Sequence, residues 1–171
     1  MPAVMTHLPA PMVPDGYVWE GDGVIPMQGW CQMDSYSCGL VAAFMMLCYF
    51  LPDKFPFKGL GRRCAVCPEE GTASDEISGA LRSYGLRCRI TRSLTKRSVD
   101  ATIAAGSPIL VGVEGDLLGF EDDHWMVIHG TNKGEVLLAN CLYPGRSSQW
   151  ASWSWLKPGL APAGWGMVVS A

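Results

Sequence analysis

The chain has 171 residues, a size usual for one domain, and 49% of them are hydrophobic while only 17% are charged. This balance excludes an intrinsically disordered chain, and the net charge of −3 argues against a general nucleic-acid binder. The longest apolar run, residues 40–51, is shorter than the roughly 18 to 20 residues that a membrane-spanning helix needs. Seven is an odd number of cysteines, so at least one thiol lacks a disulfide partner within the chain.

The N-terminal part of the chain is rich in proline and has no basic residue before Lys54. We therefore divide the chain into a proline-rich arm, residues 1–28, and one domain, residues 29–171. A secretory leader begins with a basic region, and unpaired cysteines without such a leader are typical of a reducing compartment. The sequence predicts a cytoplasmic protein with no membrane span.

Two helices are predicted in the first half of the domain. Apolar residues occupy every face from Cys38 to Phe50, which is typical of a buried helix, and Pro52 ends it. Residues 53–72 look like a loop. The second helix has Ser74 as its expected N-cap and ends at Gly85, and its buried stripe has helical spacing. The stripe consists of Ile77, Ala80, Leu81 and Tyr84.

The second half of the domain is dominated by predicted strands. The alternation over 86–90 indicates a half-buried strand, and a short helix is expected over 99–105. Asn132-Lys133-Gly134 is a hairpin signal between two strands. Further strands are expected over 108–114, 124–131, 135–141, 150–155 and 165–169. Helices followed by a run of antiparallel strands predict an α+β fold.

Cys38 lies at the expected start of the first helix. Unpaired backbone N–H groups and the positive end of the helix dipole meet a cysteine there, and both favour the thiolate. Gly39 would allow another chain segment or a substrate to approach the sulfur closely. The alternative is an inert buried cysteine, which is the interpretation that we favour for Cys48.

A histidine and an asparagine are expected near the open ends of two adjacent strands. His124 begins one strand, and Asn140 ends the next strand across the hairpin. A thiol nucleophile needs a base, and that base needs a third group to fix its tautomer and ring plane. Asn140 can offer its amide oxygen to the ring N–H. His129 has the opposite strand parity, which indicates a core histidine.

The order Gln32, Cys38-Gly39, His124, Asn140 resembles that of the papain-like cysteine peptidases. Within them the chain is most similar to the compact peptidase domains that cut bacteriocin leaders after a double glycine, and to their stand-alone relatives. Further matching segments are residues 71–86 and 106–111. The resemblance implies a papain-like fold in which the N-terminal helix carrying the nucleophile packs against an antiparallel sheet carrying the histidine and the asparagine.

The resemblance also implies a role for each residue. Cys38 would be the nucleophile, and His124 would be the general base and then the general acid. Asn140 would orient the imidazole, at a position where the leader peptidases normally carry aspartate. Gln32 would donate its side-chain amide to the oxyanion beside the backbone N–H of Cys38. The expected activity is cleavage of a peptide or isopeptide bond through a thioester, with no cofactor.

Substrate contacts are expected around the same residues, at Gly39, Asp122, Asp123 and Trp125. The acidic side chains before His124 would stabilise an imidazolium and favour neutral or basic substrates. An amidase, a transpeptidase or a deconjugase would use the same residues as a peptidase. The alternative from another class is a catalytically silent papain-like module that binds an extended peptide or a protein partner.

Two other features remain open at this level. Cys64 and Cys67 have the spacing of half a zinc site, but no second pair has that spacing, so we assign no metal ligand. The stretch from Arg82 to Arg97 holds six basic residues and no acid. A solvated surface explains it most simply, and a patch for an acidic partner is the alternative.

Overall fold

The computed structural model describes residues 13–32, 34–119, 122–143 and 146–171. The helices are α1 (Cys38–Phe50), α2 (Leu60–Arg63), α3 (Ser74–Ser83), α4 (Lys96–Ala104), α5 (Gly115–Leu118) and α6 (Trp153–Leu156), with 3₁₀ turns at Pro52–Lys54 and Lys157–Gly159. The strands are β1 (Val13–Val18), β2 (Gln28–Cys31), β3 (Arg87–Thr91), β4 (Ile109–Val113), β5 (His124–Asn132), β6 (Glu135–Tyr143), β7 (Arg146–Ser152) and β8 (Gly166–Ser170). This content confirms the predicted α+β class.

Helix α1 occupies the centre of the core, as its sequence predicts. Every residue from its start to Leu47 is buried, and the helix packs against α3, β2, β5 and β6. Burying one large apolar side chain contributes about 1.5–3 kcal/mol, and Leu40, Met45, Met46 and Leu47 are all fully buried. This packing fixes the position of Cys38 at the helix start.

Six strands form one antiparallel sheet in the order β3-β8-β4-β5-β6-β7. The β5–β6 hairpin turns at Lys133 and Gly134, and Gly134 has a φ of 78°. The register of this hairpin shifts between Ile128 and Gly130, so a bulge falls at His129. Strand β1 pairs with β2 in a separate two-stranded sheet.

Some element boundaries differ from those predicted. Ala73 is the N-cap of α3 and Ser74 is its first residue, because the backbone N–H of Ala73 donates to the Glu76 carboxylate at 3.0 Å. Residues 153–156 form helix α6 instead of continuing a strand, because the Ser152 hydroxyl accepts the backbone N–H of Trp155 and starts a helical turn. The loop predicted over 53–72 contains α2.

The proline-rich arm is partly within the described residues. Strand β1 belongs to it, and the Ile25 N–H donates to the carbonyl of His129 at 2.7 Å. Residues 1–12 lie outside the described part of the chain. Among the described residues, no helix combines the length and the apolar character that crossing a bilayer demands.

Candidate active site

The loop before α1 is ordered by one carboxylate. Asp34 accepts the backbone N–H groups of Tyr36 at 3.0 Å and Ser37 at 2.7 Å. An aspartate side chain bonded to the backbone two and three residues further on forms a local turn that competes with helix. The turn therefore ends at Ser37, and α1 begins at Cys38.

The Cys38 side chain is buried at the start of α1, with 6% of the residue exposed. Burial raises the pKa of its thiol, and the Asp34 carboxylate acts in the same direction. Backbone hydrogen bonds from Trp125, from Gly39 and from Cys38 itself lower that pKa but do not outweigh burial. The backbone N–H groups thus act in the predicted direction. Desolvation of the charged form is the larger effect, so burial opposes the thiolate that is expected at the helix start.

His124 is the first residue of β5 and is 4% exposed. Its Nε2 lies 2.7 Å from the main-chain carbonyl oxygen of Asn140. Burial lowers the pKa of the ring, while this hydrogen bond raises it. A carbonyl oxygen only accepts, so the neutral ring carries its proton on Nε2 and has the lone pair of a base on Nδ1.

Asn140 links the three elements of the site. Its side-chain Nδ2 donates to the carbonyl of Cys38 at 3.0 Å and to that of Trp125 at 2.8 Å. Its own carbonyl accepts from His124. The structure thus brings Cys38, His124 and Asn140 together, but the amide oxygen does not hold the ring N–H as predicted. The backbone at Asn140 has a φ of 67°, a conformation that strand pattern and hairpin register do not reveal.

Gln32 lies beside the loop that leads into Cys38. Its side chain is buried, and Nε2 donates to the carbonyl of Asp34 at 2.7 Å. This bond uses one of the two N–H groups of the amide. The oxyanion role of Gln32 stays a prediction.

Gly39 and Trp125 pack against each other and against the loop before α3. A Cβ atom on Gly39 would lie 2.8 Å from Cβ of Thr72 and 3.1 Å from Cδ1 of Trp125. The Trp125 indole N–H donates to the Thr72 carbonyl at 2.8 Å, and its ring lies 5.4 Å from that of Trp165. The close approach expected at Gly39 is thus made by side chains of the protein itself, those of Thr72 and Trp125. Thr72 lies within the matching segment 71–86, but nothing in the sequence marks its contact with Gly39.

The acidic residues before β5 lie at the surface. Asp122 and Asp123 are both exposed, and the Asp123 carboxylate accepts the backbone N–H of Gly115 at 3.2 Å. Trp125 is half-buried. Substrate contact at Gly39, Asp122, Asp123 and Trp125 stays a prediction.

Solved structures share this arrangement of helices and strands. One is a double-glycine motif protease from an AMS/PCAT transporter in complex with the leader peptide, with a TM-score of 0.63 and 16% identity over 86% of this chain and 94% of that chain. The peptidase domain of Streptococcus ComA, a bifunctional ABC transporter of a quorum-sensing pathway, has a TM-score of 0.59 and 12% identity over 81% and 94% of the two chains. The peptidase domain of Streptococcus mutans ComA has a TM-score of 0.54 and 14% identity over 87% of this chain and 99% of that chain.

The chain has the fold of the double-glycine leader peptidase domains. This confirms the papain-like fold that the sequence resemblance implies. No protein-family model matches the sequence, and no curated protein matches it closely.

His129 is a core residue, as its strand parity predicts. Its Nδ1 lies 3.0 Å from the carbonyl oxygen of Ile25, and its Nε2 lies 3.2 Å from the Ser148 hydroxyl. Burial lowers the pKa of the ring. This cluster joins the chain segment after β1 to the sheet.

The remaining cysteines differ in environment. Burial raises the pKa of Cys48 to about 11 and that of Cys64 to about 12, so both thiols are protonated at neutral pH. Cys67 is half-buried and donates from Sγ to the Glu69 carboxylate at 2.9 Å. The described residues contain no group of three or more His, Cys, Asp and Glu side chains placed to hold a metal.

The basic stretch is partly engaged within the fold. The Arg82 guanidinium donates to the carbonyl of Cys88 at 3.0 Å, Nε of Arg87 donates to that of Ala171 at 2.9 Å, and Lys96 pairs with Asp100. The side chains that lie exposed without a role in these contacts are Arg89, Arg92 and Arg97.

Proposed function

We propose that this protein is a cysteine peptidase that cleaves a peptide or isopeptide bond through a thioester. The observation that carries the proposal is the hydrogen-bond network around Asn140. It connects the first residue of α1, Cys38, with the first residue of β5, His124. A buried thiol and a neutral imidazole held at one site are the nucleophile and the base of this chemistry.

In the proposed reaction, Sγ of Cys38 attacks the substrate carbonyl carbon while His124 takes the thiol proton at Nδ1. The carbonyl oxygen becomes an oxyanion, stabilised by the backbone N–H of Cys38 and the Gln32 amide. Removing one such donor typically costs about 2.7–4 kcal/mol of transition-state stabilisation. His124 then protonates the leaving amine, the C–N bond breaks, and a thioester remains on Cys38.

The second half of the reaction releases the acyl group. A water molecule attacks the thioester while His124 accepts one of its protons. The C–S bond breaks, the acid product leaves, and the proton returns to the sulfur. His124 therefore acts as base and then as acid in each half of the reaction. Burial lowers the pKa of the ring, which favours the neutral form that accepts the first proton.

A peptide or a protein segment is the proposed substrate class. One structural neighbour is a double-glycine motif protease in complex with a leader peptide. A leader with a double glycine is therefore the first substrate to test, beside an unbiased peptide library. The second candidate function is a silent module that binds such a peptide without cutting it. The neighbour in complex with a leader peptide supports this candidate as well, because binding of a peptide does not by itself require cleavage.

The test is cleavage by the wild-type chain, by Cys38→Ala and by Cys48→Ala. We expect the wild type and Cys48→Ala to generate the same new peptide termini in mass spectrometry, and Cys38→Ala to generate none. Cys48 is the matched control because it lies on the same helix and is half-buried. Binding of peptide by the wild type without any new terminus would favour the silent module. Equal cleavage by Cys38→Ala would refute the proposal.

Two further proposals concern partner and compartment. The exposed side chains of Arg89, Arg92 and Arg97 support a surface that attracts an acidic partner.

The free thiols among the described cysteines support a reducing, cytoplasmic setting for the protein. They are those of Cys38, Cys48, Cys64, Cys67 and Cys88.

A further inference from the structure

We infer that Asn140 positions the His124 ring through its main-chain carbonyl, and that its side chain instead ties the nucleophile helix to the histidine strand. Asn140 is then a positioning residue whose backbone conformation, and not its amide oxygen, sets the tautomer of the base. The activity part of this inference rests on the proposed function. The ring geometry can be tested without it.

The orientation of the Asn140 amide follows from its neighbours. The side-chain atom between α1 and β5 contacts two carbonyl oxygens, those of Cys38 and Trp125. Carbonyl oxygens only accept hydrogen bonds, so this atom must be the NH₂ group. The amide oxygen then faces away, and it is buried without a hydrogen-bond partner among the described residues. The side chain is therefore committed to its two donor bonds.

The backbone at Asn140 explains how its carbonyl reaches the ring. Its φ of 67° lies in the left-handed region, which asparagine tolerates better than most residues with a Cβ. The pairing of β6 with β7 shifts register between Ala139 and Tyr143, the interval that contains Asn140. Such irregularities re-aim groups near active sites. Here the carbonyl accepts from Nε2 of His124 at 2.7 Å.

A carbonyl and a carboxylate differ in how strongly each stabilises the protonated form of the His124 ring. Both accept the Nε2 proton and leave the lone pair on Nδ1. A carbonyl adds no full negative charge, so it stabilises an imidazolium less than a carboxylate would. This agrees with the lowered pKa of the buried His124 ring.

Three variants at this position separate the two roles. Asn140→Gly keeps access to positive φ and thus the carbonyl, whereas Asn140→Ala disfavours that conformation. Asn140→Asp places carboxylate oxygens against the carbonyls of Cys38 and Trp125 and loses both donor bonds. Asn140→Gly also loses both donor bonds but keeps the carbonyl, so we expect its kcat/KM to fall below wild type and to stay at least about tenfold above that of Asn140→Ala. We expect kcat/KM of Asn140→Asp to fall at least about tenfold below wild type. Thermal unfolding curves verify that each variant folds.

The hydrogen bond itself is read by ¹⁵N NMR of labelled histidine rings in the protein without substrate. The three histidines are assigned with His7→Ala and His129→Gln. We expect a slowly exchanging Nε2–H on His124 in wild type and in Asn140→Gly, lost in Asn140→Ala together with a lower ring pKa. A purely structural role would leave that pKa unchanged.

Two results would overturn the inference. One is an equal loss of activity in the Gly and Ala variants with wild-type activity in Asn140→Asp. That result would mean that the side chain of residue 140, and not its main-chain carbonyl, orients the His124 ring. The other is loss of the protected Nε2–H in Asn140→Gly, which decides the matter even if Asn140→Ala does not fold. If the NMR pattern is as expected but no variant and no wild type cleaves a peptide, the proposed function fails and the inference stands.

Discussion

The Cys38 thiol and the His124 ring are both buried, and burial moves their two pKa values apart. That of the thiol is raised above its ordinary 9.0, and that of the ring is lowered below its ordinary 6.5. Both shifts favour the neutral form of the group. In the proposed reaction, the thiolate therefore forms only as the proton moves to His124 during attack.

Alkylation of Cys38 by iodoacetamide tests this charge state. Because only the thiolate reacts, we expect the rate to rise about tenfold per pH unit between about pH 6 and pH 9. The rate is measured on the Cys38 peptide by mass spectrometry, with His124→Ala as the comparison. A rate that is constant from about pH 6 to pH 8 in the wild type, and lost in His124→Ala, would contradict the prediction by revealing a thiolate–imidazolium pair.

At the scale of elements, the contact between α1 and the start of β5 depends on the absence of a side chain at Gly39. Thr72, Ile77 and Trp125 occupy the space that a Cβ would need, at 2.8, 2.9 and 3.1 Å. The Trp125 indole also holds the loop before α3. Helix, loop and strand thus meet at one glycine, one residue from Cys38.

Gly39→Ala should therefore destabilise the protein by about 1–3 kcal/mol, because the Cβ forces three packed side chains apart. The matched control is Gly79→Ala in the exposed face of α3, where a Cβ meets nothing within 4 Å. That change should stabilise by about 0.5–1 kcal/mol through helix propensity. Urea unfolding measures both free energies. A Gly39→Ala protein as stable as the wild type would show that the interface yields without cost.

At the scale of the whole molecule, the buried His129 couples acidity to stability. Its ring bonds to Ile25 and Ser148, which fastens the segment after β1 onto the central sheet. Its pKa is lowered in the fold. Below the ordinary value of 6.5 the unfolded chain therefore binds a proton that the folded chain does not. The free energy of unfolding must then fall as the pH drops from 6.5 towards the folded pKa.

His129→Gln should remove this contribution. One such group changes the free energy of unfolding by up to about 1.4 kcal/mol per pH unit, and His124 supplies a second. We expect the loss of stability on acidification below pH 6.5 to be shallower in His129→Gln by up to that amount. Urea unfolding at a series of pH values provides the comparison. Parallel curves for the two proteins would exclude a proton uptake at His129.

The α1 helix and the β5–β6 hairpin could be predicted because their signals are local. An all-apolar run ending at Pro52 and a turn at Lys133-Gly134 each depend on neighbours in the chain. The start of α6 could not be predicted, because residues 150–155 also have the pattern of a strand and the Ser152 cap competes with it. The N-cap of α3 is Ala73, one residue before the predicted Ser74. The bond that marks this helix start runs from the backbone N–H of Ala73 to the Glu76 carboxylate, and alanine is not a residue type that indicates an N-cap.

The sequence by itself determined the fold class, the helix that begins at Cys38, the strand that begins at His124 and the neighbouring strand that carries Asn140. Residue type, periodicity and turn chemistry act over short distances along the chain, so these features can be predicted from the sequence. Only the tertiary structure decided the burial that raises the pKa of the thiol, and which atom of Asn140 meets the His124 ring. Both depend on burial and on one backbone angle, which arise when α1, β5 and β6 pack together and which no local pattern records.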